Sequence, residues 1–331
     1  MRLKGISCLT AGILMSYSAI AQPLSKEAGW EFTLSLNVGY SGGESQFDTD
    51  SDNETTNDLN NNGQSQSSTL AYPLGRVQYT LDSLKTQFFL GNSREQVSTA
   101  QFQYELGIVH QFNNDSKLTF AVFPKLSMLN ETWEDPFLVG SDRQTTDEKV
   151  GGGRIAVERI FGSPLTLKYA IASSSIDNER SGQSQLTDAS EIASLQRDSV
   201  YQRVEVETLF PVAKGILLKP NLQYTHRNAE GNANSYDNYT VQLSILIFRD
   251  RHTLITTINA GTRTYQQINP IFDAKQNLNH AGIFSIYSYK RPFDWDRWTW
   301  TMMGGYSQEN SDISFYDSKS FIVSTGLLYK F

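Results

Sequence analysis

The sequence predicts an all-β chain: a single transmembrane, antiparallel, up-and-down β-barrel of about 14 strands (roughly 12–16), with short periplasmic turns and long extracellular loops. Three observations carry this. Segments of about ten residues alternate apolar with polar side chains and are separated by turns or polar loops. The connections alternate between short and long. Aromatic residues gather at the two ends of the segments. Composition agrees: mean hydropathy is −0.41, as for a soluble chain, yet 12% of residues are aromatic. A barrel reconciles the two, because half of each strand faces lipid and half faces water or other polar side chains.

The N-terminus is read first. Arg2 and Lys4 precede the mostly apolar stretch from Ile6 to Ile20, and Ala19-Ile20-Ala21 is small-x-small. This is a signal peptide, residues 1–21, with cleavage between Ala21 and Gln22. The stretch is too short and too interrupted for a membrane anchor. Cys8, the only cysteine, lies inside it, so the mature chain carries no thiol and suits an oxidising periplasm. Residues 22–331 have no dividing linker and form one barrel domain. Removing the two basic residues of the leader leaves 26 basic against 35 acidic residues, a charge of −9. No basic patch points to nucleic acid. No apolar run reaches the ~18 residues of a spanning helix.

The strands follow in order. The clearest is Trp30–Tyr40, in which Trp30, Phe32, Leu34, Leu36, Val38 and Tyr40 alternate with Glu31, Thr33, Ser35, Asn37 and Gly39. Further strands are expected at 69–81, 85–92, 98–112, 117–129, 149–161, 165–175, 199–210, 216–226, 236–249, 253–265, 278–289, 298–308 and 318–331. An even count returns both termini to the periplasmic side. A change of phase near Pro73–Gly75 predicts a bulge. The short connections are 82–84, 113–116, 162–164, 211–215, 250–252 and 290–297; the longer set is 41–68, 93–97, 130–148, 176–198, 227–235, 266–277 and 309–317. Threading up and down places Tyr40, Tyr72, Tyr224, Tyr239, Tyr265 and Tyr306 in an outer girdle. Trp30, Tyr79, Phe112, Phe161, Phe210, Trp298, Tyr329 and Phe331 form a periplasmic one, where a ring with a polar edge sits half wet.

In the last strand Phe321, Val323, Leu327, Tyr329 and Phe331 alternate with Ile322, Ser324, Gly326, Leu328 and Lys330, and the chain ends on the aromatic. This resembles the closing strand of Gram-negative outer-membrane β-barrels, where that end is the assembly signal. The resemblance covers the whole mature chain. It implies the bacterial outer membrane, Sec export, the barrel-assembly machinery, and membrane lipid and lipopolysaccharide as surroundings. In length and style the chain is similar to the uncharacterised domain-of-unknown-function family 2860, which implies no substrate. No sugar-porin, siderophore-receptor or fatty-acid-transporter motif is present. Strand one begins within ten residues of Gln22, so no plug domain is expected. Oligomeric state is not readable, since a subunit interface and a lipid face are both apolar.

On the polar phase of the strands, Arg76, Lys125, Arg154, Lys168, Arg203 and Lys219 are candidate basic lumen residues. Glu105, Glu158, Glu205 and Glu207 are the acidic ones. Rows of opposite sign facing each other would make a transverse field that tunes selectivity. Mutual pairing would make the same residues a structural filling. Phe89, Phe123, Leu209, Leu246, Phe248 and Met303 fall on the inward phase, several toward the periplasmic end, where they would narrow the barrel. Fourteen strands lie between packed small barrels and open porins.

The 41–68 loop holds Asp48, Asp50, Asp52 and Glu54 at every second position, as in the first half of an EF-hand. Asn53 stands where the turn glycine belongs and Leu59 where the bidentate glutamate belongs, so it is no EF-hand. A loose Ca²⁺ site and a solvated acidic loop are the two readings. Residues 186–196 suit a short helix, capped by Asp188 with Glu191 three residues on, lying on the surface or folded into the mouth. The four histidines are scattered, and no Ser/His/Asn or Asp–His motif of the outer-membrane enzymes is present. No catalysis, cofactor or nucleic acid is expected. The expected function is a passive, porin-like channel for small hydrophilic solutes. The alternative is a closed, non-conducting surface or structural barrel acting through its acidic loops.

Overall fold

The computed structural model describes residues 24–92, 104–124 and 130–331. Ala19, Ala21 and Lys125 lie outside the described residues. The strands are β1 (Gly29–Glu44), β2 (Ser65–Thr80), β3 (Thr86–Asn92), β4 (Tyr104–Gln111), β5 (Lys117–Phe123), β6 (Glu131–Trp133), β7 (Thr145–Glu158) and β8 (Leu165–Ile176). They continue as β9 (Ser199–Thr208), β10 (Phe210–Ala213), β11 (Ile216–Ala229), β12 (Tyr236–Arg249) and β13 (His252–Tyr265). The last three are β14 (Leu278–Lys290), β15 (Trp298–Ser311) and β16 (Ser318–Lys330).

Fourteen strands cross the wall of a closed antiparallel barrel. β9 and β10 both pair with β11 and form one crossing interrupted at Leu209. β6 stands off the wall and pairs with the outer end of β7. The circle closes where β1 pairs with β16 and where β9 pairs with β11. In the closing seam the register runs from Thr33 opposite Lys330 to Glu44 opposite Lys319. The backbone N–H of Phe331 donates to the carbonyl of Phe32 at 2.9 Å. Closure leaves no free edge in this seam, so the alternating faces of the last strand are fixed by its partner.

Alternation places side chains as expected. On β1, Trp30, Phe32, Leu34, Leu36, Val38 and Tyr40 are exposed toward lipid, while Ser35, Asn37 and Ser41 are buried inside. The predicted bulge near Pro73–Gly75 is absent: β1 and β2 stay in one register from Gly29 opposite Thr80 to Glu44 opposite Ser65. The apparent change of phase has another cause. Tyr72 stands on the inner face and its hydroxyl meets the buried Ser324 at 3.0 Å, so the backbone alternation continues while the inner face turns less polar.

The outer girdle consists of Tyr40, Tyr239 and Tyr306, exposed, with Tyr224 packed 5.1 Å from Tyr239. Tyr72 and Tyr265 are corrections: both turn inward, and Tyr265 is buried. The periplasmic girdle is as expected. Trp30 lies 4.9 Å from Tyr79, Trp298 lies 4.8 Å from Tyr329, and Tyr329 lies 4.7 Å from Phe331. Phe112, Phe161 and Phe210 are exposed. Phe293 and Trp295, on the turn before β15, extend this ring and were not foreseen.

Candidate functional site

The inward residues form a packed charge network. The guanidinium of Arg154, on β7, donates to both oxygens of Glu105, on β4, at 3.0 and 3.1 Å. Arg76, on β2, stands 3.9 Å from the same carboxylate and 4.0 Å from the centroid of the Phe89 ring. A second cluster spans β8, β9 and β11. Lys168 lies 3.7 Å from Glu205 and 3.1 Å from Glu207; Arg203 lies 3.2 Å from Glu205, and Lys219 lies 3.6 Å from Glu207. Asn221 and Gln223 each donate to Glu205 at 3.1 Å. Glu158 stands opposite Lys117 across the β5–β7 pair.

This placement corrects the transverse-field expectation. The signs do not face each other across the lumen. They interdigitate on the half of the wall from β2 to β11, where each cation sits beside a carboxylate. Apart from the Arg263–Glu309 pair, the other half carries mainly neutral polar groups: Ser35, Asn37, Gln242, Ser244, Thr257, Ser320 and Ser324, all buried. Three lumen groups escaped sequence reasoning: Lys117, which shares its strand phase with Lys125, and Arg263 with Glu309, paired at 3.2 Å.

Burial decides what this network can do. Glu105 is 1% exposed, Glu205 4%, Arg203 5% and Lys219 3%. Water reaches these charges scarcely more than it reaches a protein core. Side chains lie flat on neighbouring strands: a Cβ on Gly107 would overlap the Phe89 ring, and one on Gly305 the Phe284 ring. Of the apolar inward residues, Phe89, Phe123 and Leu246 are buried. Phe123 belongs to the outer end, with Val150, Tyr201, Tyr236 and Tyr265, so the barrel is narrowed there as well. Leu209 and Met303 are half-buried and Phe248 is exposed. Arg227 and Arg263 lie against the faces of these tyrosines, with Arg263 4.8 Å from the Tyr236 ring.

Above this layer six outer loops share one apolar core. Phe137, Leu195, Ala233, Ile313 and Phe315 are buried, with Phe47, Leu59, Leu186, Phe272 and Tyr316 packed around them. The Phe315 ring is 5.2 Å from Phe137, 5.5 Å from Phe272 and 5.7 Å from Phe47. Beside it Arg143, 1% exposed, donates to the carbonyls of Gln46 at 3.0 Å and Pro136 at 3.1 Å, to Gln46 Oε1 at 3.1 Å, and to the Asn53 carbonyl. Its guanidinium lies 4.5 Å from the Trp133 ring centroid. Burial pushes the Arg143 guanidinium down to about 10. Asp135 accepts backbone N–H groups of Phe137 and Gly182 at 3.0 Å and of Ser184 at 2.9 Å, joining two loops.

Two loop expectations change accordingly. The 41–68 segment is a folded part of this lid, with Gln46, Asp48 and Asn53 buried, and not a solvated acidic tail. Burial pushes the Asp48 carboxyl up to about 6. Asp48, Asp50, Asp52 and Glu54 do not converge as a set: no group of three or more His, Cys, Asp or Glu side chains placed to share a metal occurs among the described residues. The helix near 186–196 is α1 (Ala189–Ser194), capped by Asp188, which accepts from Ser190 N at 2.7 Å and Glu191 N at 3.3 Å. Leu195 at its end is 1% exposed and anchors it in the lid. Isolated aromatics in polar loops (Phe47, Trp133, Phe137, Phe272, Phe315) were the available signal.

The histidines stay apart. His226 Nδ1 lies 2.9 Å from Asp237, which also accepts from Tyr224 at 2.5 Å. Among the described residues, no serine or threonine hydroxyl is hydrogen-bonded to His226.

No curated protein matches the chain. Among solved structures, OmpT of Vibrio cholerae is similar at 12% identity over 94% of this chain and 100% of that one, with a TM-score of 0.44. A FadL homologue of Pseudomonas aeruginosa is similar at 9% identity, covering 91% and 90%, with a TM-score of 0.44. The outer-membrane channel DcaP of Acinetobacter baumannii follows at 11%, covering 93% and 99%, with a TM-score of 0.41. These likenesses concern the fold. The exposed apolar strand faces between two aromatic girdles are those expected of a barrel that crosses the bacterial outer membrane. The profile of the family described as "Protein of unknown function (DUF2860)" matches residues 29–330, the whole wall from β1 to β16, and the chain belongs to that family.

Proposed function

We propose that the resting protein is a closed, non-conducting, non-enzymatic barrel whose working surface is the fused outer lid. One observation carries this reading: the charges at mid-height are paired with one another and almost fully buried. A conducting lumen keeps such groups wet, because ions must exchange water for wall ligands as they pass. The lid adds a second barrier of apolar contacts drawn from six loops. Residues 45–64 contribute Phe47 and Leu59 to it, so the first outer loop is part of the working surface. Assembly then runs through Sec export and the barrel-assembly machinery, with the strand ending at Phe331 as its signal, into lipid and lipopolysaccharide.

A passive channel for small hydrophilic solutes is the second reading. It is favoured by the neutral polar half of the inner wall, where Ser244 meets Thr257 at 2.9 Å and Ser307 meets Ser320 at 2.8 Å. Planar bilayers separate the two. The closed reading expects silent membranes at several salts and voltages after insertion of refolded protein. Discrete conductance steps at the single-protein level would overturn it and support the channel.

A further inference from the structure

At the outer end of β1 and β2 a small cavity of about 10 Å³ opens between the wall and the first outer loop. Ser41 and Gly42 line it from β1, Gln66 from β2, and Asp48 and Asp50 from the loop. Its lining is chemically unbalanced. Asp48 is 2% exposed, and among the described residues it has no basic partner. Its Oδ1 accepts the N–H of Asp50 at 3.1 Å. Asp50 in turn caps the N–H of Asp52 at 3.3 Å.

Two side chains on the wall point to what is needed there. Ser41 is fully buried, and its hydroxyl has no hydrogen-bond partner. Gln66 is 9% exposed, and its buried amide nitrogen has none either. Buried polar groups are ordinarily paired, and an unpaired one is costly. A buried carboxylate with no cation nearby is costlier still. A hard cation with oxygen ligands would offset the buried carboxylate and engage the Ser41 hydroxyl, and with the Gln66 amide turned it would engage that side chain too. The carboxylates of Asp48 and Asp50 and the Ser41 hydroxyl supply three. A half-turn of the Gln66 amide presents its oxygen as a fourth, and water from the open side completes the shell. An irregular set of single carboxylate, hydroxyl and amide oxygens suits Ca²⁺, which tolerates six to eight flexible ligands, better than Mg²⁺, which demands a near-ideal octahedron.

We propose that this cavity is a Ca²⁺ site that staples the first outer loop to the barrel wall. It differs from the alternating pattern in the sequence. Asp52 and Glu54 do not line the cavity, and their places are taken by two neutral residues of the strands. The proposal goes beyond the closed-barrel reading and stands whether or not the lumen conducts.

The test is calorimetric titration of the full chain, folded in detergent and stripped with EDTA, with CaCl₂ and separately with MgCl₂. Folding is checked by heat-modifiable migration. The expected result is one Ca²⁺ per chain, with a Kd of about 10⁻⁴–10⁻³ M, as for extracellular calcium modules, and weaker Mg²⁺ binding. Asp48→Asn removes half of the ligand charge and should weaken Ca²⁺ by about tenfold or more, since charge count tunes affinity. Gln66→Ala, a wall substitution, should weaken it by a smaller factor, and it carries the test if Asp48→Asn does not fold. Asp52→Asn and Glu54→Gln should leave the Kd unchanged. Absence of saturable Ca²⁺ binding overturns the proposal and leaves the cavity to one bridging water. So does binding that survives both Asp48→Asn and Gln66→Ala.

Discussion

Replacing Arg143 by alanine attacks the lid at its joint. The side chain ties the first outer loop to the loop that carries Trp133 and Phe137. Without it the Gln46 carbonyl keeps the Trp133 indole N–H at 3.0 Å, but the carbonyls of Pro136 and Asn53 lose the donor Arg143 supplies. Hydrogen bonds from a charged donor contribute about 1.5–3 kcal/mol each. The desolvated contact with Trp133 adds about 1–2 kcal/mol. Against these stands the cost of burying the cation, which holds Arg143 down to about 10 and corresponds to about 3 kcal/mol. With two such bonds taken at the middle of their range, the balance is a loss of about 3 kcal/mol. That corresponds to about 10²-fold more frequent opening of the joint. Hydrogen exchange reads it directly. The N–H of Gly140 donates to Thr56 O, and that of residue 143 donates to Glu54 O, both at 2.8 Å, and these bonds bridge the two loops. In Arg143→Ala their exchange should accelerate by about 10²-fold while the amides of β12 to β16 stay protected. Arg143→Lys, a point charge without the fork, should fall between. A change of only a few-fold, or equal acceleration in the wall, would refute the claim that Arg143 holds the lid as a separate unit.

Three further outcomes follow from the wall. Glu105→Gln leaves Arg154 and Arg76 beside a neutral amide and should cost about 3–5 kcal/mol in urea-induced unfolding from lipid vesicles; an unchanged midpoint would mean that the network is solvated. Gly107→Ala puts a methyl against the Phe89 ring and 2.6 Å from the Phe120 carbonyl, and should cost about 1–3 kcal/mol by the same measurement; a neutral result would mean that Phe89 has free space in an open lumen. Phe331→Ala leaves the interior untouched, since Phe331 is 59% exposed, yet it should slow assembly in cells more than Glu105→Gln does; wild-type assembly kinetics would remove the terminal aromatic as the signal.

The wall was legible because it is periodic. In β1 every second residue repeats one instruction, and β16 repeats it to the last residue, so strand spans and facing follow from sequence alone. Where a strand carried apolar residues on both faces, that code failed. Tyr72 was assigned to the outer girdle because a tyrosine near a strand end suits an interface, but its hydroxyl has a partner, Ser324, that only closure of the barrel brings near. The lumen charges were identified as a set, while their pairing was not. Lys168 and Glu207 lie 39 positions apart, and only the β8–β9 register sets them 3.1 Å from each other. Of the lid, only the short helix at 186–196 was legible as a piece that folds into the mouth; the shared aromatic core was not. Phe47, Phe137 and Phe315 are single aromatics in unrelated polar loops, and nothing local distinguishes a ring awaiting a distant partner from one on the surface.

The lid and the lumen network are separate closures, and this makes the two functional readings experimentally distinct. The Arg143 joint and the Phe315 core lie in the loops, outside the strands. Glu105, Glu205 and their partners lie on the strands below, joined to each other and not to Arg143. Loosening the lid therefore leaves the lumen charges paired. If the protein were a channel with the lid as its gate, Arg143→Ala alone would produce conductance in planar bilayers, and its open probability would track the exchange rate of the joint. If the network itself seals the lumen, the same variant opens its loops and stays silent. Conductance then appears only when Arg143→Ala is combined with truncation of the network, as in Arg154→Ala with Glu105→Ala, which removes both partners and leaves no unpaired carboxylate behind. A silent double-site variant that folds would place the seal either in the intact cluster of Lys168, Glu205 and Glu207 or in the neutral half of the wall, at Ser244, Thr257 and Ser324.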